Sequence, residues 1–216
     1  MGDDRLDRAT ERYEQAVFGG DAEALAAAED ELDSVEADLA LARGRILHAR
    51  FLADRKEDPC ELALFERAVE LYQRLGEVRG EAEACFWVGT FHQVVRGDGD
   101  AALPALQRSY TLAQEAGDPL TTSYAVRHLG FHAMEQGHLD IAREQLEESL
   151  RLRREVGFRP GVAAALLALA ELSARSGEPE RAATLLAEAA AEAEGSNARG
   201  ILRWIDAARA ELAAAG

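Results

Sequence analysis

Residues 128–157 read HLGFHAMEQGHLDIAREQLEESLRLRREVG, and their relation to the rest of the chain decides the fold. Shifting the sequence against itself by 40 positions lays FHQVVRGDGDAALPALQRS, from Phe91, on FHAMEQGHLDIAREQLEES, from Phe131, without a gap. SGEPERAATLLAEAA, from Ser176, continues the pattern in the next block. Matched sets recur at Gly97, Gly137 and Gly177, then Ala102, Ala142 and Ala182, then Leu106, Leu146 and Leu186, then Ser109, Ser149 and Ala189. Upstream, Thr90, Gly130 and Ala170 hold one small-residue position. Phe51 matches Phe91, so an earlier copy begins near Arg43, and AVFGGDAEALAAAEDELD is a weaker, truncated copy before it.

Each copy reads as two helices. Gly76, Gly117 and Gly157 suit helix C-termini, because glycine enters the left-handed conformation without a Cβ penalty. Asp118-Pro119 supplies an N-cap and a first-turn proline, and Asp58-Pro59 and Glu178-Pro179 resemble it. Gly130 and Ala142 are expected to let paired helices approach closely, with Leu129, Leu146 and Leu150 filling the seam at roughly 1.5–3 kcal/mol per buried leucine. No unit buries its apolar face alone, so neighbours must stack. Pro104 falls too deep in its helix to be comfortable.

Hydrophobic residues make up 48% of the chain, which argues against disorder, and the low aromatic share of 6% leaves mostly Ala and Leu, strong helix formers. The formal charge of −16 repels phosphate backbones, so no direct nucleic-acid binding is expected; a cationic partner suits the surface better. Thirteen acids against Arg5, Arg8 and Arg12 occupy residues 1–40, a solubilising face or a docking surface for a basic partner. Cys60 and Cys85 have no close-spaced partner and are expected to be buried for structural reasons. The acidic N-terminus has no apolar core of a signal peptide, and GVAAALLALA at 161–170 is too short to span a bilayer, so a cytoplasmic location with no membrane association is expected.

The Leu129-Gly130 pair, the turn glycine at Gly137 and the alanine at Ala142 resemble the tetratricopeptide repeat, in its longer variety of about 40 residues found in helical sensor domains of bacterial regulators. The resemblance implies an all-α, right-handed α-solenoid of about five helix-turn-helix hairpins plus a C-terminal closing helix, in one domain. Residues 1–42 are a degenerate first repeat, 43–79, 80–119, 120–159 and 160–196 are full repeats, and 197–216 are the closing helix, whose Trp204 is expected to cover the last repeat. Gly89 departs from the family's usual leucine. By the same resemblance, first helices line the inner groove, and Phe51, Trp87, Phe91, Tyr124, Arg127, His128, Phe131, Glu135, Glu171 and Arg175 are the candidate ligand- or partner-binding residues, with His48 nearby.

The phenylalanines either form an aromatic stripe along the groove or pack between inner helices as core; the sequence leaves both open. His92 and His132 recur at equivalent places, HLGFH lacks the glutamate of HExxH, and no third ligand is evident, so neither a metal nor a cofactor is expected. The function that follows is a non-catalytic binding scaffold or regulator holding a peptide, protein segment or small apolar ligand. Arg127, Arg175 and His128 would orient an anionic or carbonyl group, and Glu135 and Glu171 would favour cationic segments. The alternatives are a small-molecule sensor or biosynthetic tailoring enzyme with a pocket around His128 and Arg127, and a self-associating repeat. No nucleophile elbow, phosphate loop or cofactor fingerprint supports the enzyme reading.

Overall fold

A computed structural model describes residues 3–215. All regular structure among them is helical: α1 (Asp4–Gly19), α2 (Glu23–Asp54), α3 (Glu61–Leu75), α4 (Val78–Thr90) extended by a π-helical turn (Phe91–Val95), α5 (Gly99–Glu115), α6 (Pro119–Glu135), α7 (Leu139–Glu155), α8 (Arg159–Arg175), α9 (Pro179–Gly195) and α10 (Arg199–Ala215). Within each compact unit, helices adjacent in sequence pack on one another. The chain divides into two compact units at Ala116/Gly117, unit 1 with α1–α5 and unit 2 with α6–α10. No helix among the described residues is long and apolar enough to cross a membrane.

The turns set the repeat length. Gly97, Gly117, Gly137, Gly157 and Gly177 all take positive φ, and Asn197, at φ 55°, takes the next place in the series. Each helix plus its turn therefore occupies 20 residues, and two make the 40-residue period. At Gly137 the turn closes with Gly137 N–H donating to Met134 O and His138 N–H to Ala133 O, which satisfies carbonyls left over at the end of α6. Asp118 caps α6 by accepting from the Leu120 and Thr121 amides. Glu178 does not cap α9; its longer side chain reaches Arg143 instead, at 3.0 Å. α5 accommodates Pro104 within its length, with the ring at the surface.

Within unit 2, Leu146, Leu150, Leu166, Leu172, Leu186 and their alanine neighbours form a single core, with Leu129 also buried. Unit 1 has its own core around Phe65, Leu71, Tyr72 and Ala37. Three expectations are corrected. Trp204 is exposed, and Ile205 closes the last hairpin, because the apolar row Ile201, Ile205, Ala208 and Leu212 is the face that α10 turns inward. Cys60 is exposed at the start of α3, whereas Cys85 is buried and its thiol is pushed up to about 11 by that burial. The first two copies share α2, which runs unbroken through Arg43: no stop signal interrupts residues 23–54, and Gly44 serves packing, since a Cβ there would lie 2.5 Å from the buried Phe65 ring.

The same test separates two other seam glycines. A Cβ at Gly89 would lie 2.6 Å from Leu106, which is fully buried, whereas one at Gly130 would lie 3.0 Å from Leu146. Gly89→Ala is therefore expected to cost about 1–3 kcal/mol despite the gain of up to ~1 kcal/mol in helix propensity, and Gly130→Ala to be near neutral. Urea titrations followed by far-UV circular dichroism measure both.

Candidate functional site

On α6, Tyr124, Arg127, His128 and Phe131 follow the i, i+3, i+4, i+7 spacing that places side chains on one helical face. The Arg127 guanidinium stacks over the Phe131 ring, 4.2 Å from its centroid. Arg127 is half-buried, its Nε is fully enclosed without a hydrogen-bond partner, and its guanidinium makes no hydrogen bond or ion pair with any described residue. Burial pushes its pKa down to about 10, opposed by the nearby Glu171 and Tyr124, so it remains a cation at neutral pH. Glu171, on α8, reaches solvent, but the protein around its carboxyl raises its pKa; Arg127 and Arg175 oppose that rise and Glu211 adds to it.

Beneath this face lies a residue that the sequence reading passed over. Arg153 of α7 is 2% exposed. Its Nη1 donates to the Gly161 carbonyl at 2.9 Å, its Nε to Ser123 Oγ at 3.3 Å, and its guanidinium sits 5.0 Å from the centre of the Tyr124 ring. Burial first, then repulsion from Arg127, holds its pKa down to about 9. The signal was available: Arg153 occupies the place of Ala113 and Ala193 in the flanking copies, both fully buried.

Thus Tyr124, Arg127, Phe131, Glu171 and Arg175 contribute to one electrostatically coupled face of unit 2. Glu135 ends α6 and is exposed. His128 is buried, edge-on to Phe131 at 5.6 Å, rather than presented to solvent. No group of three or more His, Cys, Asp or Glu among the described residues is placed to hold a metal ion.

The aromatic stripe is not observed. Phe91 is 1% exposed and belongs to the unit 1 core with Ala37, Leu41 and Phe65; Phe51 is also buried. The repeated position faces neighbouring hairpins, where a large apolar ring is worth most as packing. Only Phe131 keeps part of its surface accessible. Trp87, half-buried, stacks on Phe65 at 5.6 Å, meets His48 edge-on at 5.3 Å, and has Arg45 over its ring at 5.7 Å. Under it, His48 Nδ1 is 2.8 Å from Glu61 Oε1, and the other Glu61 oxygen is enclosed without a partner. Glu61 is completely buried, and desolvation raises its pKa against the pull of His48. It begins α3, where an acid is ordinarily a solvated helix-start residue, so nothing in the sequence marked it.

A family model for the tetratricopeptide repeat matches residues 121–192. Residues 121–192 carry tetratricopeptide repeats. The crystal structure of BtubC (BKLC) from P. vanneervenii is similar in fold, with a TM-score of 0.50 and 16% identity over 90% of each chain. No curated protein matches the sequence. The matched repeats include the whole Arg127–Phe131–Glu171 face, whereas the His48–Glu61 pair lies N-terminal to them.

His48→Ala is expected to leave Glu61 buried without its partner and to cost about 3–5 kcal/mol at neutral pH. A carboxyl whose folded-state pKa is raised stabilises the fold below its unfolded value and loses that contribution as pH rises through the folded value. The penalty should therefore shrink as pH falls towards 4, and chemical denaturation of variant and wild type across pH 4–7 measures it.

Proposed function

We propose that unit 2 binds a segment of a partner protein on the face carrying α6 and α8, with Arg127 donating to a carboxylate or backbone carbonyl and Phe131 contacting an adjacent apolar side chain. Tetratricopeptide repeats generally serve as protein-interaction scaffolds, which supports the class of partner. The observation that carries the specific reading is the unpartnered arginine. The equivalent position in other copies is Leu47, Trp87 or Leu167, so packing at this place asks for an apolar residue. Nε is sealed off, but the two terminal amino groups are not, and a ligand oxygen would give them the acceptors that the protein does not supply. A planar guanidinium held flat by a ring is preorganised for two parallel hydrogen bonds to a carboxylate. Glu171 and Arg175, alongside, accept from and donate to the peptide backbone and add charge selectivity at the rim.

The test is a display library of random peptides with free C-termini. The wild-type chain should enrich peptides that place a carboxylate next to an apolar residue. Arg127→Leu should weaken their binding about tenfold or more while leaving the urea midpoint unchanged or higher, because leucine fits the site in other repeats. Affinity that survives Arg127→Leu defeats the assignment, and so does a variant that unfolds.

A further inference from the structure

α2 is 32 residues long; its buried residues from Ala37 on, namely Ala37, Ala40, Leu41, Gly44, His48 and Phe51, lie on one side, while Ala24 and Ala28 are buried on another. Along the rest of the helix Leu25, Leu32 and Leu39 are each 48% exposed and Ile46 is 56% exposed. Their spacing is seven residues throughout. Scattered exposed leucines are ordinary, but four large apolar side chains in strict heptad register form a seam for another helix, because the 3.5-residue average keeps them facing one partner. The intervening seam positions are small or modest: Ala28 is buried, Val35 is half-buried, and Ala42 and Ala49 are exposed. From Leu25 to Ala49 the stripe is about 36 Å long at 1.5 Å per residue. α1 beside it leaves Leu6, Tyr13 and Val17 exposed as well.

The charges beside the seam select the occupant. On one flank the first half carries Glu29 and Glu36, and the second half carries Arg43 and Arg50, again seven apart. Glu29, Arg43 and Arg50 are exposed and make no ion pair among the described residues, while Glu36 holds Arg67 at the surface. A helix that is acidic in its first half and basic in its second is complementary to itself reversed. We propose that two copies of this chain associate through α2, antiparallel about a two-fold axis. The register that sets Leu39 against Ala42 of the second copy also sets Leu32 against Ala49 and Ile46 against Val35, a larger against a smaller side chain at each of these layers, and leaves Leu25 beyond the paired region, opposite position 56 past the end of α2. It places Glu29 beside Arg50 and Glu36 beside Arg43, and two-fold symmetry makes each contact twice. A parallel pair would instead bring Arg45 beside Arg50.

Sedimentation velocity on the 216-residue chain tests this. At ~100 μM the wild type should sediment at twice 23.4 kDa. Leu39→Glu combined with Ile46→Glu should return it to a monomer with unchanged circular dichroism, since both side chains are exposed. Glu29→Arg and Arg50→Glu should each weaken association about tenfold at low salt, and the double reversal should restore it. A wild type that stays monomeric at that concentration overturns the proposal, as does a dimer indifferent to the glutamates. Tighter association of Arg50→Glu, or no recovery in the double reversal, overturns the antiparallel register.

Discussion

The close approach of paired helices across small residues is the constraint on which the rest depends. Hairpins of 17-residue helices have little surface with which to bury a core, and bulky residues on both sides of a seam would hold the helices apart. At the Gly130–Leu146 and Gly89–Leu106 contacts, leucine on one helix occupies the space that glycine vacates on the other. Alanine and serine do the same at Ala102, Ala142, Ser109 and Ser149, all fully buried. The leucines then contribute their full transfer free energy, and the next hairpin covers the remaining apolar face.

Against that alanine-and-leucine background, charges inside the stack stand out as departures. Arg153 replaces a buried alanine and is accommodated by the Gly161 carbonyl, Ser123 and the Tyr124 ring. Arg127 replaces an apolar residue and is accommodated only in part, by Phe131. The difference bears on their roles: Arg153 donates through Nε and Nη1 to protein acceptors and supports structure, while Arg127 has no protein acceptor, which is the basis of the binding proposal. Glu61 in unit 1 stands between these cases, with one oxygen held by His48 and the other unheld. Its enclosure under Trp87 makes it a buried pair within the core.

α2 has a different arrangement. It packs through Ala37, Leu41, Gly44 and Phe51 and leaves a second apolar line on its outer side. Two apolar rows therefore coexist in one helix, both spaced by seven residues: Ala37, Gly44 and Phe51 against the neighbours in unit 1, and Leu25, Leu32, Leu39 and Ile46 facing outward. Exposure of that outer line to water is unfavourable and burial would relieve it, which is the physical basis of the proposal that a second helix covers it.

The helical class, the 40-residue period, the turn glycines and the small-residue seam were legible in the primary structure, because each rests on local chemistry: a glycine that accepts positive φ, an aspartate that caps, a leucine that recurs every second helix. That Tyr124, Arg127 and Phe131 share a face was also legible, since helical spacing puts side chains on a face; Glu171 of α8 was named beside them only through the family resemblance. Which side of that face neighbouring hairpins cover was not. Phe91 and Phe131 occupy the same place in the period, yet one is sealed in a core and the other borders the accessible face, and only packing between hairpins distinguishes them. The burial of Arg153, the His48–Glu61 pair and the substitution of Ile205 for Trp204 follow from the same cause. Periodicity specifies the direction of a side chain about its own helix; the helices that later pack against it determine whether that direction leads to water.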